Sequence, residues 1–122
     1  MIQGQVVGLQ ARVDVAIRRN GQPGLAIEFV VDTGFEGALA LPSAAVAALG
    51  LPLHQRVVSK LADASSRLTD VCRATIDWDG AVLDVAVLAI GDRPLLGTAL
   101  LDGYTLNVDF VVRGTVRIHA FP

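Results

Sequence analysis

The alternation in "ARVDVAIRRNGQPGLAIEFVVD", residues 11 to 32, restricts the possible folds of this chain more than any other feature. Val13, Val15 and Ile17 alternate with charged or small residues, and Leu25, Ile27, Phe29 and Val31 alternate again beyond "RRNGQPG". A period of two places successive side chains on opposite faces of an extended backbone, so each run predicts a strand with one buried face. Asn20-Gly21 tolerates positive φ and suits the hairpin that joins them. The second strand therefore runs straight into Asp32-Thr33-Gly34, a carboxylate, a hydroxyl and a glycine with no Lys or Arg beside them in sequence.

Strand signals dominate the remainder. "LPSAAVAALGLP" predicts one short helix, with Ser43 as its cap, Gly50 as its C-terminal stop and Pro52 beyond. From Arg56 the pattern predicts two long strands around a small polar tip at Asp63 to Ser66. An Asp79-Gly80 turn and a third run from Ala81 to Ile90 follow. "GDRPLLGTALLDG" adds a buried Leu95-Leu96 and a short helical stretch after Gly97, and the last residues predict a hairpin turning near Arg113-Gly114. With 122 residues, no repeat and no linker, the expectation is a single all-β domain over residues 1-122 with one or two short helices.

Composition narrows the function classes. Apolar residues make up 52% of the chain, yet no uninterrupted apolar run reaches the length of a membrane span, so no membrane partner is expected. "MIQGQVVGLQ" carries no basic stretch followed by an apolar segment, which makes a cytoplasmic location the expectation. The single Cys72 agrees, reading as a small buried hydrophobe. Ten basic and twelve acidic residues are scattered rather than striped, which argues against nucleic acid as a partner. His54 and His119 have no second ligand at metal spacing, and neither a metal nor a cofactor is expected. Cys72 lies mid-strand among Val71, Arg73 and Ala74, where a structural role outweighs that of a nucleophile paired with a histidine.

Three features coincide in order: "VVDTGFEGALALP" with its apolar strand leading into the DTG, the hairpin tip "LADASS", and "RPLLGTALLDGYTLNVDF" with an apolar-apolar-Gly element before a short helix. From about Gln5 to Phe110 the chain resembles the retropepsin-like aspartic proteases, the family of the retroviral proteases and their small bacterial relatives. The resemblance implies a closed β-barrel fold, a homodimer and a peptide or protein substrate. It implies that Asp32 is the catalytic carboxylate, that the Thr33 hydroxyl locks the loop across the dimer axis, and that Gly34 lets substrate and partner loop approach. It makes the hairpin carrying Ala62, Asp63 and Ala64 the flap over the substrate, and it adds Leu96 to the substrate-contacting set. Phe35 either lines a substrate pocket or belongs to the core; Glu36 either meets the substrate backbone or is an exposed loop charge. The family's flap tips commonly carry glycine where this chain has Ala64 and Ser65, and "VVRGTVRIHAFP" extends beyond the point where retroviral chains end.

The chemistry agrees with that implication. Hydrolysing an amide without metal or covalent intermediate takes a base to activate water and an acid to protonate the carbonyl or the leaving nitrogen. Two adjacent carboxyls sharing one proton supply both, because like charges that close cannot both ionise. There is no second DTG or DSG: Asp77-Trp78-Asp79-Gly80 and Asp102-Gly103-Tyr104 lack the central hydroxyl. A dyad therefore needs a twofold axis that sets Asp32 of one copy against Asp32 of another. The expected function is an aspartic endopeptidase acting as a homodimer; the other reading is a non-catalytic dimeric peptide-binding or regulatory module of the same fold.

Overall fold

The structure is a computed structural model describing residues 1–60 and 63–122. Among the described residues the chain forms β1 (Ile2–Val7), β2 (Gln10–Arg19), β3 (Gln22–Val31), β4 (Leu39–Leu41), α1 (Ser43–Leu49), β5 (Leu53–Lys60), β6 (Ser66–Trp78), β7 (Ala81–Ala89), β8 (Leu95–Leu96), α2 (Thr98–Leu101), β9 (Tyr104–Val108) and β10 (Thr115–Ala120). The all-β class with two short helices is as expected from the alternation.

The strands join in one sheet in the order β5-β6-β7-β4-β8-β3-β2-β1-β10-β9. β2 also meets β6 through Ala16↔Asp77 and Ile17↔Ile76. The pairings β2-β3-β8-β4-β7-β6 therefore run back on themselves, leaving β5 and β9 as the outer strands of the order. The core is built from the inward residues of this circuit. Ala11, Val13, Val15 and Ile17 of β2 are buried, as are Phe29 of β3, Ala74, Ile76 and Trp78 of β6, and Val85 and Val87 of β7. Each large apolar side chain removed from water in this way contributes about 1.5–3 kcal/mol before the entropy of ordering is subtracted.

Three local details differ from expectation. Ser43 is the first residue of α1 rather than its cap; Pro42 holds the cap position with no side-chain hydrogen bond, and its carbonyl accepts the N–H groups of Ala45 and Val46. The other end is as expected: Gly50 adopts φ 65°, and the N–H groups of Gly50 and Leu51 close back onto Ala47 and Val46. β5 begins at Leu53 rather than Arg56, with an irregularity between Leu53 and Gln55 in its pairing to β6. β1 and β4 were not anticipated; β1 pairs with both β2 and β10, and β4 fits between β7 and β8.

Candidate active site

Two crossing segments build the site. β3 runs parallel to β8, with Val30 opposite Leu95 and Val31 opposite Leu96. The Val30 N–H donates to the Pro94 carbonyl at 3.0 Å, and the Asp32 N–H donates to the Leu96 carbonyl at 2.9 Å. The chain then turns: Phe35 N–H returns to the Asp32 carbonyl at 3.1 Å, and Gly34 N–H donates to Asp32 Oδ1 at 2.9 Å. The carboxylate is half-buried and is held by its own loop. Thr33 and Gly34 are exposed beside it. The φ of Gly34 is not in the left-handed region, so its role lies in its missing side chain. A Cβ there would stand 3.2 Å from Asp32 Oδ1, so the missing side chain keeps the carboxylate's surroundings open.

The far side of the loop is locked onto α2. The Phe35 carbonyl accepts the Thr98 N–H at 2.8 Å and the Thr98 hydroxyl at 3.4 Å. Gly37 and Ala38 carbonyls accept the N–H groups of Ala99 and Gly97. The first N–H groups of a helix need acceptors, and α2 has no side-chain cap; the DTG loop's carbonyls serve instead. Gly97 is where the two segments touch. A Cβ there would fall 2.5 Å from the Phe35 carbonyl oxygen and closer still to that of Gly37.

The remaining expected residues separate into distinct places. The Phe35 ring folds back over Gly37 and Gly97, covering its own loop. Leu96, expected to contact substrate, is fully buried; it supports Asp32 from behind through its carbonyl, because the parallel β3-β8 pairing turns its side chain into the core. Glu36 is exposed and borders a separate depression beside Thr98, Leu101 and Asp102. Asp63 and Ala64 are exposed at the tip of the β5-β6 hairpin, where Lys60 pairs with Ser66; Ala62 lies outside the described residues. Asp63 Oδ1 accepts the Ser65 hydroxyl at 2.5 Å and the Ser65 N–H at 3.0 Å, which lowers its carboxyl from the ordinary aspartate value. Ala64 takes φ 67°, the left-handed conformation that a glycine adopts without cost. Val58 and Leu68, directly opposed on this hairpin, are both exposed.

Asp32 and Thr33 open into a groove of about 570 Å³, a size that suits a small molecule or part of a peptide. Val30, Leu95, Leu106, Val108 and Phe110 make it mainly apolar, with Arg93 and Leu9 at its margin. Sequence reasoning missed Arg93, Leu9 and the β9 wall. The alternation Tyr104, Leu106, Val108 in "YTLNV" was the available signal for the last of these. Elsewhere, Cys72 is buried and burial pushes its thiol up, with Asp70 adding to the effect, the opposite of what a thiolate nucleophile needs. His119 bonds Asn107 at 3.0 Å. Among the described residues no group of three His, Cys, Asp or Glu side chains is arranged to hold a metal, and no helix is long and apolar enough to cross a membrane.

The fold, as distinct from the site, is shared with solved structures. The chain superposes on a retropepsin-like aspartic protease from Rickettsia conorii with a TM-score of 0.58 and 17% identity, covering 100% of this chain and 92% of that one. It superposes on EIAV protease complexed with an inhibitor with a TM-score of 0.54 and 17% identity, covering 80% of this chain and 91% of that one. The fold is thus that of the retropepsin-like aspartic proteases. No protein-family model matches the sequence, and no curated protein matches it either.

Proposed function

We propose that this chain is an aspartic endopeptidase acting as a homodimer, in which Asp32 of each copy shares one proton. One carboxylate takes a proton from water as it attacks the scissile carbonyl. The protonated carboxyl donates to the carbonyl oxygen, and proton return to the amide nitrogen releases the amine. The observation that carries the reading is the position of Asp32: half-buried at the end of β3, held by Gly34 and Leu96, and open to an apolar groove on the fold of the aspartic proteases.

Further features support a twofold partner. Each chain supplies one DTG, and an isolated half-buried carboxylate gains from a mate with which to share a proton. Thr33 is exposed, as a hydroxyl that grips a second loop needs to be. β9 is an outer strand whose Leu106 and Val108 border the same groove. The β5-β6 hairpin, with its exposed Val58-Leu68 pair, is proposed to close over an extended peptide held by main-chain hydrogen bonds.

The test is cleavage of a diverse peptide mixture, read by mass spectrometry from about pH 4 to 8, by the wild type and by Asp32→Asn at high protein concentration. Cleavage with a bell-shaped pH dependence that disappears in Asp32→Asn supports the reading. Peptide binding that persists in both proteins without any cleavage assigns the chain to the non-catalytic peptide-binding class instead.

A further inference from the structure

Among the described residues the Asp32 groove is lined by one cation, Arg93. Arg93 borders both this groove and the adjoining depression that contains Arg12, Glu28 and Asp92. Arg12 is already engaged, donating to Glu28 Oε1 at 2.9 Å and to Gln10 Oε1 at 3.0 Å. Among the described residues Arg93 has one ion-pair partner, its sequence neighbour Asp92, 3.9 Å away and 95% exposed, a pair too open and too long to hold the guanidinium. Its backbone is nonetheless well placed. Pro94 follows it with a restricted φ, the Pro94 carbonyl accepts the Val30 N–H, and Leu95 pairs with Val30. A partly exposed guanidinium is thus carried on a fixed stretch of backbone beside the strand that leads into Asp32, on a groove whose other walls are mainly apolar.

We propose that Arg93 is a specificity-determining residue, and that the peptides this groove takes carry an Asp or Glu side chain within an otherwise apolar stretch. The proposal rests on the peptidase reading above and adds the substrate chemistry. The planar fork of a guanidinium matches a carboxylate through two parallel N–H···O bonds, a match neither an amide nor an apolar side chain reproduces. Val30, Leu95, Leu106, Val108 and Phe110 accept apolar neighbours of that carboxylate, and the cation offsets the repulsion an acidic peptide meets from Asp32.

The test compares wild type, Arg93→Ala and Arg93→Glu on a degenerate peptide mixture, with cut sites read by mass spectrometry. The expected result is enrichment of Asp and Glu by about fivefold at one fixed position relative to the cut in the wild type. Arg93→Ala loses this preference and Arg93→Glu replaces it with Lys and Arg. A residue profile identical in all three proteins overturns the proposal. If no protein cuts, the peptidase reading falls, and the same mixture is passed over immobilised Asp32→Asn with and without Arg93→Ala. Retention of acidic peptides only where Arg93 is present then sustains the role of Arg93, and equal retention overturns it.

Discussion

The main-chain N–H of Asp32 donates to the carbonyl of Leu96 at 2.9 Å, tying the candidate catalytic carboxylate to a strand of only two residues whose second side chain is fully buried. Leu96 thus supports both the core and the placement of Asp32. Leu96→Ala is expected to cost about 2–5 kcal/mol through the cavity it leaves, whereas Leu96→Met, which keeps the volume, costs less than about 1.5 kcal/mol. Urea denaturation of the two variants checks the contrast; equal, small losses would mean that the site does not depend on this contact.

Gly97 is expected to resist substitution for a different reason. An added Cβ meets the carbonyl oxygens of Phe35 and Gly37, backbone atoms that cannot swing aside without moving the DTG loop. Gly97→Ala should destabilise by about 1–3 kcal/mol or more. Gly24→Ala, whose Cβ meets only the Ile17 carbonyl oxygen at 3.6 Å, should stay within about 0.5 kcal/mol of wild type. Thermal unfolding of both variants decides it, and a neutral Gly97→Ala contradicts the close approach.

The hairpin tip should respond to acid. Asp63 has its carboxyl lowered from the ordinary aspartate value, chiefly by the Ser65 hydroxyl and then by the Ser65 N–H. A depressed folded value means that the tip's stabilisation is present above the unfolded value and is lost as pH falls through the folded one. Carboxyl titration by NMR is expected to place the Asp63 midpoint below that of the unfolded chain, with the Ser65 amide shifting at the same pH. Asp63→Asn should remove that transition, and a midpoint at or above that of the unfolded chain contradicts the turn.

Leu9 occupies a strained and exposed position. It takes φ 64° at the β1-β2 turn with 83% of its surface exposed, next to exposed Phe110, Val111 and Val112. Left-handed backbone costs a residue with a Cβ roughly 1–2 kcal/mol, less for Asn. Leu9→Asn is expected to leave the isolated chain as stable or about 1 kcal/mol more so, while weakening self-association in sedimentation experiments. Unchanged association would show that this patch is not what a second copy covers.

Much of the fold was legible because β2, β6 and β7 bury one face each, which writes a period of two into the sequence, whereas β3 keeps the alternation but fully buries Phe29 alone of its apolar set and leaves Leu25 exposed. β4 is three residues long and buried on every side, so it carries no alternation; β1 is interrupted by Gly4. Ser43 looked like a cap because its type suits one, but capping depends on backbone geometry, and Pro42 occupies the place. At the site, the local pattern that marks Asp32, Thr33 and Gly34 as candidates was visible in one short stretch of sequence. The groove beside them was not, since Leu9, Arg93, Leu106 and Phe110 reach it from three distant segments. Leu96 was misplaced because the apolar-apolar-Gly pattern does not reveal which of its two leucines faces inward; pairing with β3 and β4 settles it.

The most direct test of the central claim is the cleavage rate of wild-type protein mixed with Asp32→Asn at constant total concentration, after the chains have exchanged. If two copies of Asp32 form one dyad, the rate falls with the square of the wild-type fraction, to roughly a quarter in an equal mixture under random pairing. A rate that falls in simple proportion, to roughly a half, would mean that each chain works alone and would contradict the shared dyad.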